Sequence, residues 1–303
     1  MTTTTETPYR SVWMCLNDLP FTQGFVDADG IRTRYIQAGP ADAPAVIFLH
    51  GTGASWESCC ANIRPHAEHF NTFAIDMVGT GFSTKPDKLY TLEVYVEHLR
   101  AFMDAMGLKK ASIVGVSLGS FIAAKFAQKY PDRTHKITMV SAVGLPFKHN
   151  PNMSEEEQGQ HMLDAARKRR REQVENPTWD AMKTLLSRLI LKPENVVDDL
   201  VGVRQSVYRQ PGMAEAMEHI MDLYAPEVFN RDAIQPEQWR QIQTPVLITL
   251  SVDSKDWFYE TAQEIHTLLP HSQMLECPGA SHWPQWECAD AFNRANIAFL
   301  QQA

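Results

Sequence analysis

Short, almost wholly apolar runs recur along this chain and alternate with longer amphipathic stretches. Residues 45–49 (AVIFL), 72–75 (TFAI), 111–116 (ASIVGV), 136–141 (KITMVS), 245–250 (PVLITL) and 273–277 (QMLEC) read as buried strands. Strands that are apolar on both faces belong to parallel sheets covered by helices on both sides. Between them, residues 92–106 set Val96, Leu99, Phe102, Met103 and Met106 at helical spacing. Ahead of these, residues 21–27 and 31–38 flank Ala28-Asp29-Gly30, a hairpin signal. The alternation predicts an α/β fold with a doubly wound, mostly parallel sheet.

One stretch breaks the alternation. Residues 146–232 contain no clear strand, several helical patterns and the punctuating Pro146, Pro151, Pro177, Pro193, Pro211 and Pro226. Helices inserted between two core strands predict a cap over the carboxyl edge of the sheet, where open α/β sheets bind ligands. The expected division is a polar tail over 1–20, a core over 21–145 and 233–303, and a cap over 146–232. Within the cap, acidic 155–157 and basic 167–171 suit the two ends of one long helix. They read as its solvated face, with a docking patch as the alternative.

The bulk composition narrows the class. The 303 residues are 44% hydrophobic and 21% charged, ordinary for a folded domain. A net charge of -8 argues against nucleic acid and anionic membranes as partners. No apolar run reaches the roughly 20 residues that span a bilayer, and no charged-then-apolar leader opens the chain. The five cysteines, Cys59 and Cys60 adjacent among them, show no disulfide or metal-ligand spacing. The expectation is a cytoplasmic protein with reduced thiols, no metal and no cofactor, its substrate a small molecule and self-association left open. Gly79-Thr80-Gly81 lacks the third glycine and the strand-to-helix setting of a dinucleotide site.

Chemistry enters at Gly115-Val116-Ser117-Leu118-Gly119. This is G-x-S-x-G between a predicted strand and a predicted helix, the setting of a nucleophile elbow. A serine hydroxyl needs a base. His282 follows the last strand run in Gly279-Ala280-Ser281-His282-Trp283-Pro284, on a loop that would hang over the carboxyl edge. An oxyanion hole needs two N–H donors. Leu118 would supply one, and Thr52 or Gly53, after strand 45–49, the other; His50 beside them reads as a residue holding that loop. The acid that orients the base should follow strand 245–250, where Asp253 is preferred and Asp256 is the alternative.

These motifs resemble the meta-cleavage-product hydrolases, serine α/β-hydrolases that cut carbon–carbon bonds in ring-fission products of aromatic compounds. The likeness spans about residues 21–300. It includes Phe48-Leu49-His50-Gly51, Asp76-Met77-Val78-Gly79-Thr80-Gly81-Phe82-Ser83, Tyr130-Pro131-Asp132-Arg133 and Ser281-His282-Trp283-Pro284-Gln285-Trp286-Glu287. Val203-Arg204-Gln205 and Gln210-Pro211-Gly212 extend it into the cap. The resemblance implies that Arg204 contacts a substrate carboxylate and that Trp283 and the residue at 116 line the pocket. Three departures stand out. Val116 replaces the usual Asn, the 51–55 loop has fewer Gly and Pro, and Ser254 occupies the place of the triad Asp.

The expected activity is hydrolysis of a small, largely apolar carbonyl compound, a C–C bond in a dienoate before all. A carboxylesterase or lactonase is the first alternative. A ligand-binding protein on a hydrolase scaffold is the second. Serine at 117 disfavours relatives that use an aspartate nucleophile.

Overall fold

The structure is a computed structural model that describes residues 11–146 and 155–302, and of residues 155–163 and 166 the backbone only. Eight strands form one sheet. They are β1 (Phe21–Ala28), β2 (Ile31–Ala38), β3 (Ala45–Leu49), β4 (Asn71–Ile75), β5 (Ala111–Val116), β6 (Thr134–Val140), β7 (Val246–Leu250) and β8 (Ser272–Glu276), in the order β1-β2-β4-β3-β5-β6-β7-β8. The β1–β2 hairpin and the β2–β4 pair are antiparallel, and every other pair is parallel. Each apolar run expected to be a strand is one, to within two residues at its ends.

The helices are α1 (Cys60–Ala67), α2 (Leu92–Ala105), α3 (Leu118–Lys129), α4 (Glu155–Glu175), α5 (Trp179–Ser187), α6 (Asp198–Tyr208), α7 (Met213–Asp222), α8 (Pro226–Asp232), α9 (Pro236–Trp239), α10 (Trp257–Leu268), α11 (Pro284–Glu287) and α12 (Ala289–Gln301). Those from α4 to α9 fall between β6 and β7, and the described residues of that stretch hold no strand. The charged runs do lie on one helix, α4, although the side chains of 155–157 fall outside the described residues. Two apolar cores flank the sheet. One packs α2 and α3 on β3 to β6; the other gathers α1, α12 and the cap around Val46, Phe48, Val114 and Val116.

The reading of residues 1–20 as a polar tail does not hold from Ser11 onward. Val12 and Leu16 are buried in the second core. Asp199 at the head of α6 accepts from Ser11 Oγ and from Val12 N–H (3.1 Å), and Asn17 O accepts from Arg64 Nη1 at 2.7 Å. The run over residues 12–16 is apolar throughout but only five residues long, too short for a period to tell that Val12 and Leu16 are buried while Trp13 and Met14 are exposed. No disulfide joins any of the five cysteines, all of which lie among the described residues. No helix among the described residues is long and apolar enough to cross a membrane.

Three buried histidines act as neutral hydrogen-bond links. His66 donates from Nδ1 to Asn62 O (2.7 Å) and accepts from Asn296 Nδ2 (2.9 Å). His98 donates to Thr33 Oγ1 (2.7 Å) and accepts from Val78 N–H. His50 donates to Gly51 O (2.7 Å) and accepts from Met77 N–H (3.1 Å). Burial lowers His50 and His66 to about 4 and His98 to about 3. In the unfolded chain each titrates near 6.5. The unfolded state therefore binds protons first as pH falls, so their contribution is complete above pH 6.5 and is lost below it. The unfolding free energy is expected to drop by about 3 kcal/mol per pH unit between pH 6.5 and 5, about 1 for each histidine. Urea titrations across that window check it; a flat profile would contradict it.

Candidate active site

Ser117 sits on the turn between β5 and α3 with φ 54° and ψ -114°. This region is sparsely populated for any residue but glycine. The turn is held at its base by Ser117 N–H to Val140 O (2.8 Å), with Ser120 N–H and Phe121 N–H closing on Ser117 O. The two glycines of the motif answer to close approach. A Cβ on Gly115 would stand 2.1 Å from Gly119 O, and one on Gly119 would stand 2.5 Å from Leu49 O. Helix α3 thus crosses directly over β5 and the end of β3, and no side chain fits between. Leu118 opens α3, so its N–H has no intrahelical acceptor.

The loop after β3 runs beside the serine. A Cβ on Gly51 would lie 3.4 Å from Ser117 Cβ. His50, neutral and bonded to Gly51 O, holds the loop from beneath, as expected of it. Thr52 Oγ1 bonds Tyr224 OH, and Gly53 (φ 63°) lies under Tyr208 and Met217 of the cap. The cap therefore closes on the stretch expected to supply the second oxyanion donor.

A buried ionic cluster under this loop had no signal in the sequence. Arg34 on β2 donates from Nη1 to Asp76 Oδ2 (3.2 Å) and from Nη2 to Glu57. Asp76 also accepts from Trp56 N–H and Phe82 N–H, both at 2.8 Å, and Ser55 Oγ donates to Glu57 at 2.6 Å. One arginine and two carboxylates thus tie the loop after β3 to the loop after β4. The residues are far apart in sequence, and only the sheet order β2-β4-β3 brings them together.

His282 lies on the loop after β8. Ser141 Oγ donates to its carbonyl at 2.8 Å, and Ser251 Oγ donates to Ser281 O at 2.6 Å. These bonds draw the loop onto the ends of β6 and β7, next to the end of β5. Glu287 fixes the other side by accepting from Ser281 N–H (2.8 Å) and Leu191 N–H (2.6 Å). No hydrogen bond joins Ser117 to His282 among the described residues; such bonds are often long in unliganded sites and tighten with substrate. Burial, then the charge of Arg170, lowers the His282 imidazole to about 4, which keeps it neutral and able to take a proton.

The expected bond from an aspartate to His282 is not formed. Asp253 is exposed, and its Oδ2 accepts from Gly279 N–H at 2.6 Å. Asp256 caps α10, accepting from Phe258 N–H (3.0 Å) and Tyr259 N–H (3.2 Å). His282 Nδ1 is buried and has no hydrogen-bond partner among the described residues. The ring of Phe258 lies on the imidazole, 4.3 Å between centroids. An acid displaced by one residue points elsewhere, and an aromatic ring packs beside the base.

Arg204 on α6 is 4% exposed, and its Nη1 has no hydrogen-bond partner among the described residues. Its guanidinium lies 5.7 Å from the Tyr208 ring and 6.0 Å from the Trp283 ring. No carboxylate among the described residues pairs with it. Trp283 and Val116 are both buried in the core that includes Tyr208, Met213 and Met217.

Comparison with known proteins places this geometry. The profile of the α/β-hydrolase fold family matches residues 44–289. A 2-hydroxy-6-oxo-2,4-heptadienoate hydrolase of Pseudomonas putida is 26% identical over 277 residues, 90% of this chain and 94% of its own. A 2-hydroxy-6-oxo-6-phenylhexa-2,4-dienoate hydrolase of Burkholderia cepacia is 28% identical over 272 residues, 84% and 87% of the two chains. The crystal structure of a 2-hydroxy-6-oxo-6-phenylhexa-2,4-dienoate hydrolase from a Rhodococcus species superimposes with a TM-score of 0.78 at 21% identity, covering 94% of this chain and all of that one, a likeness of fold. With its elbow serine, crossed glycines and capped parallel sheet, the chain belongs to the α/β-hydrolase fold family.

Proposed function

We propose that the chain is a serine hydrolase that cleaves a C–C bond in an acidic, vinylogous ketone of the dienoate type. The observation that carries this reading is Arg204, a buried guanidinium with no carboxylate partner among the described residues, 5.7 Å from the Tyr208 ring and 6.0 Å from the ring of Trp283, the neighbour of His282. Desolvating a cation without a partner costs several kcal/mol. A substrate carboxylate would offset that cost and orient the chain of the substrate along the cap.

In this scheme the dienol substrate first tautomerises to the ketone. Ser117 Oγ then attacks the carbonyl carbon while His282 takes its proton. The N–H groups of Leu118 and of Thr52 or Gly53 hold the oxyanion. Collapse breaks the C–C bond and His282 returns the proton to the departing carbon. Water attacks the resulting ester of Ser117, so one water is consumed and two acids are released. His282 acts here without a carboxylate on Nδ1, and Asp253 serves to hold the Gly279 turn of its loop.

An ester hydrolase is the second reading. Val116 in place of Asn and the ring of Phe258 beside the base favour it, since an ester needs no tautomerisation and fewer polar groups around the elbow. A paired assay on a dienoate ring-fission product and on short p-nitrophenyl esters separates the two. In the C–C reading, Arg204→Gln is expected to lower kcat/KM for the dienoate about 10²-fold, mostly through KM, and for neutral esters less than threefold. Equal losses on both substrates would remove Arg204 from carboxylate recognition, and fast ester cleavage with an untouched dienoate would favour the esterase.

A further inference from the structure

Arg170 lies in the basic run of α4. Its companions Arg167 and Arg171 pair with Asp222 and Glu218 of α7. The partners of Arg170 among the described residues are neutral. Its Nη1 donates to Gln173 Oε1 at 3.2 Å and approaches Tyr208 OH at 3.5 Å. Gln173 is itself buried. Tyr208 is also the ring beneath Arg204. The two guanidinium groups therefore flank one tyrosine. The positive charge of Arg170 bears on Arg204, Tyr224 and His282. Among the described residues no carboxylate pairs with Arg170 or Arg204, whereas Arg167 and Arg171 of the same run each have one.

Two like charges close together in a desolvated space repel strongly unless an anion lies between them. A single carboxylate neutralises one of them. We propose that Arg170 and Arg204 form one dianion-binding site, and that the natural substrate carries two acidic groups at the end lying over Tyr208, as in a short dicarboxylate head. The orientation of that head toward Ser117 rests on the hydrolase reading; the site itself does not.

The test is calorimetric titration of the full chain with malonate, succinate, acetate and propionate at fixed ionic strength, for wild type, Arg170→Gln, Arg170→Lys and Arg204→Gln. The better dicarboxylate is expected to bind at least ~10-fold more tightly than either monocarboxylate. Arg170→Gln should erase that excess and leave the monocarboxylates within about twofold, Arg170→Lys should keep part of it, and Arg204→Gln should weaken all four ligands. Equal affinity for one and two carboxylates, or a preference that survives Arg170→Gln in protein with unchanged Tm, overturns the proposal. Dicarboxylate binding with no turnover of dienoate or ester would sink the hydrolase reading and leave this site standing. Turnover with no dicarboxylate preference would do the reverse.

Discussion

Ser117→Ala is expected to cut kcat by several orders of magnitude, on the order of 10⁶-fold where a serine nucleophile is lost, and to leave stability within about 0.5 kcal/mol. The two halves of this expectation have separate causes. Turnover goes because the proposed mechanism has no other group at the elbow to form the acyl intermediate. Stability stays because the hydroxyl caps no helix end; the turn is held by backbone bonds from Ser117 N–H to Val140 O and from Ser120 and Phe121 to Ser117 O, which alanine keeps. Ser117→Gly sharpens the contrast. Glycine adopts φ 54°, ψ -114° without the penalty a side chain incurs. That variant should be as inactive as alanine and more stable by up to ~1 kcal/mol, the reverse of what a serine kept for structure would show. Stopped-flow turnover and urea denaturation on the same preparations check both halves. Retained activity in either variant would end the serine mechanism.

Arg34→Leu is expected to destabilise the protein by about 3–5 kcal/mol at pH 7, because it leaves Glu57 and Asp76 buried without their cation. Burial already pushes both carboxyls up, and Arg34 opposes that push. Without Arg34 the carboxyls take protons more readily in the folded state, so this loss should shrink as pH is lowered to 5, measured against wild type at the same pH. A surface control puts the number in scale. Lys129 pairs with Glu97 at 2.8 Å in exposed surroundings, and Lys129→Ala should cost no more than about 1 kcal/mol. If Arg34→Leu cost as little as the control, the cluster would not be what joins the loops after β3 and β4. Because Asp76 also holds Trp56 N–H and Phe82 N–H, slower turnover should accompany the lost stability.

That His282 Nδ1 has no partner among the described residues bears on the proposed mechanism. In an acid-base-nucleophile triad the acid fixes the tautomer and steadies the imidazolium. Here Phe258 packs on the ring, and Ser141 and Glu287 hold the loop through its backbone. Orientation comes from packing and main-chain bonds, while charge stabilisation of the imidazolium is left to the substrate and its surroundings. A dianionic head near Arg170 would matter for that balance, since it screens the charge that helps keep His282 neutral.

Much of the fold was legible in the residues. Runs such as ASIVGV and PVLITL admit few structures other than strands covered on both faces, and the strand-turn-helix around Ser117 follows from two glycines whose absent Cβ atoms let α3 cross β5 and β3. The place of His282 was legible for the same reason, because a loop after the last strand of a parallel sheet begins at the sheet's carboxyl edge. Other features depend on meetings that no local pattern records. Arg34, Glu57 and Asp76 meet because β4 inserts between β2 and β3. Val12 and Leu16 are core residues because α1, α12 and the cap leave them a place. Asp253 and Asp256 were both reasonable partners for His282 by position along the chain, yet each carboxylate is taken by a nearer N–H, at Gly279 and at the start of α10. Local periodicity and steric allowance are properties of neighbouring residues and can be read in order. Which buried charge finds a partner depends on distances in space, and Arg204 and Arg170 stand out only once the fold sets both against Tyr208 with no carboxylate paired to either among the described residues.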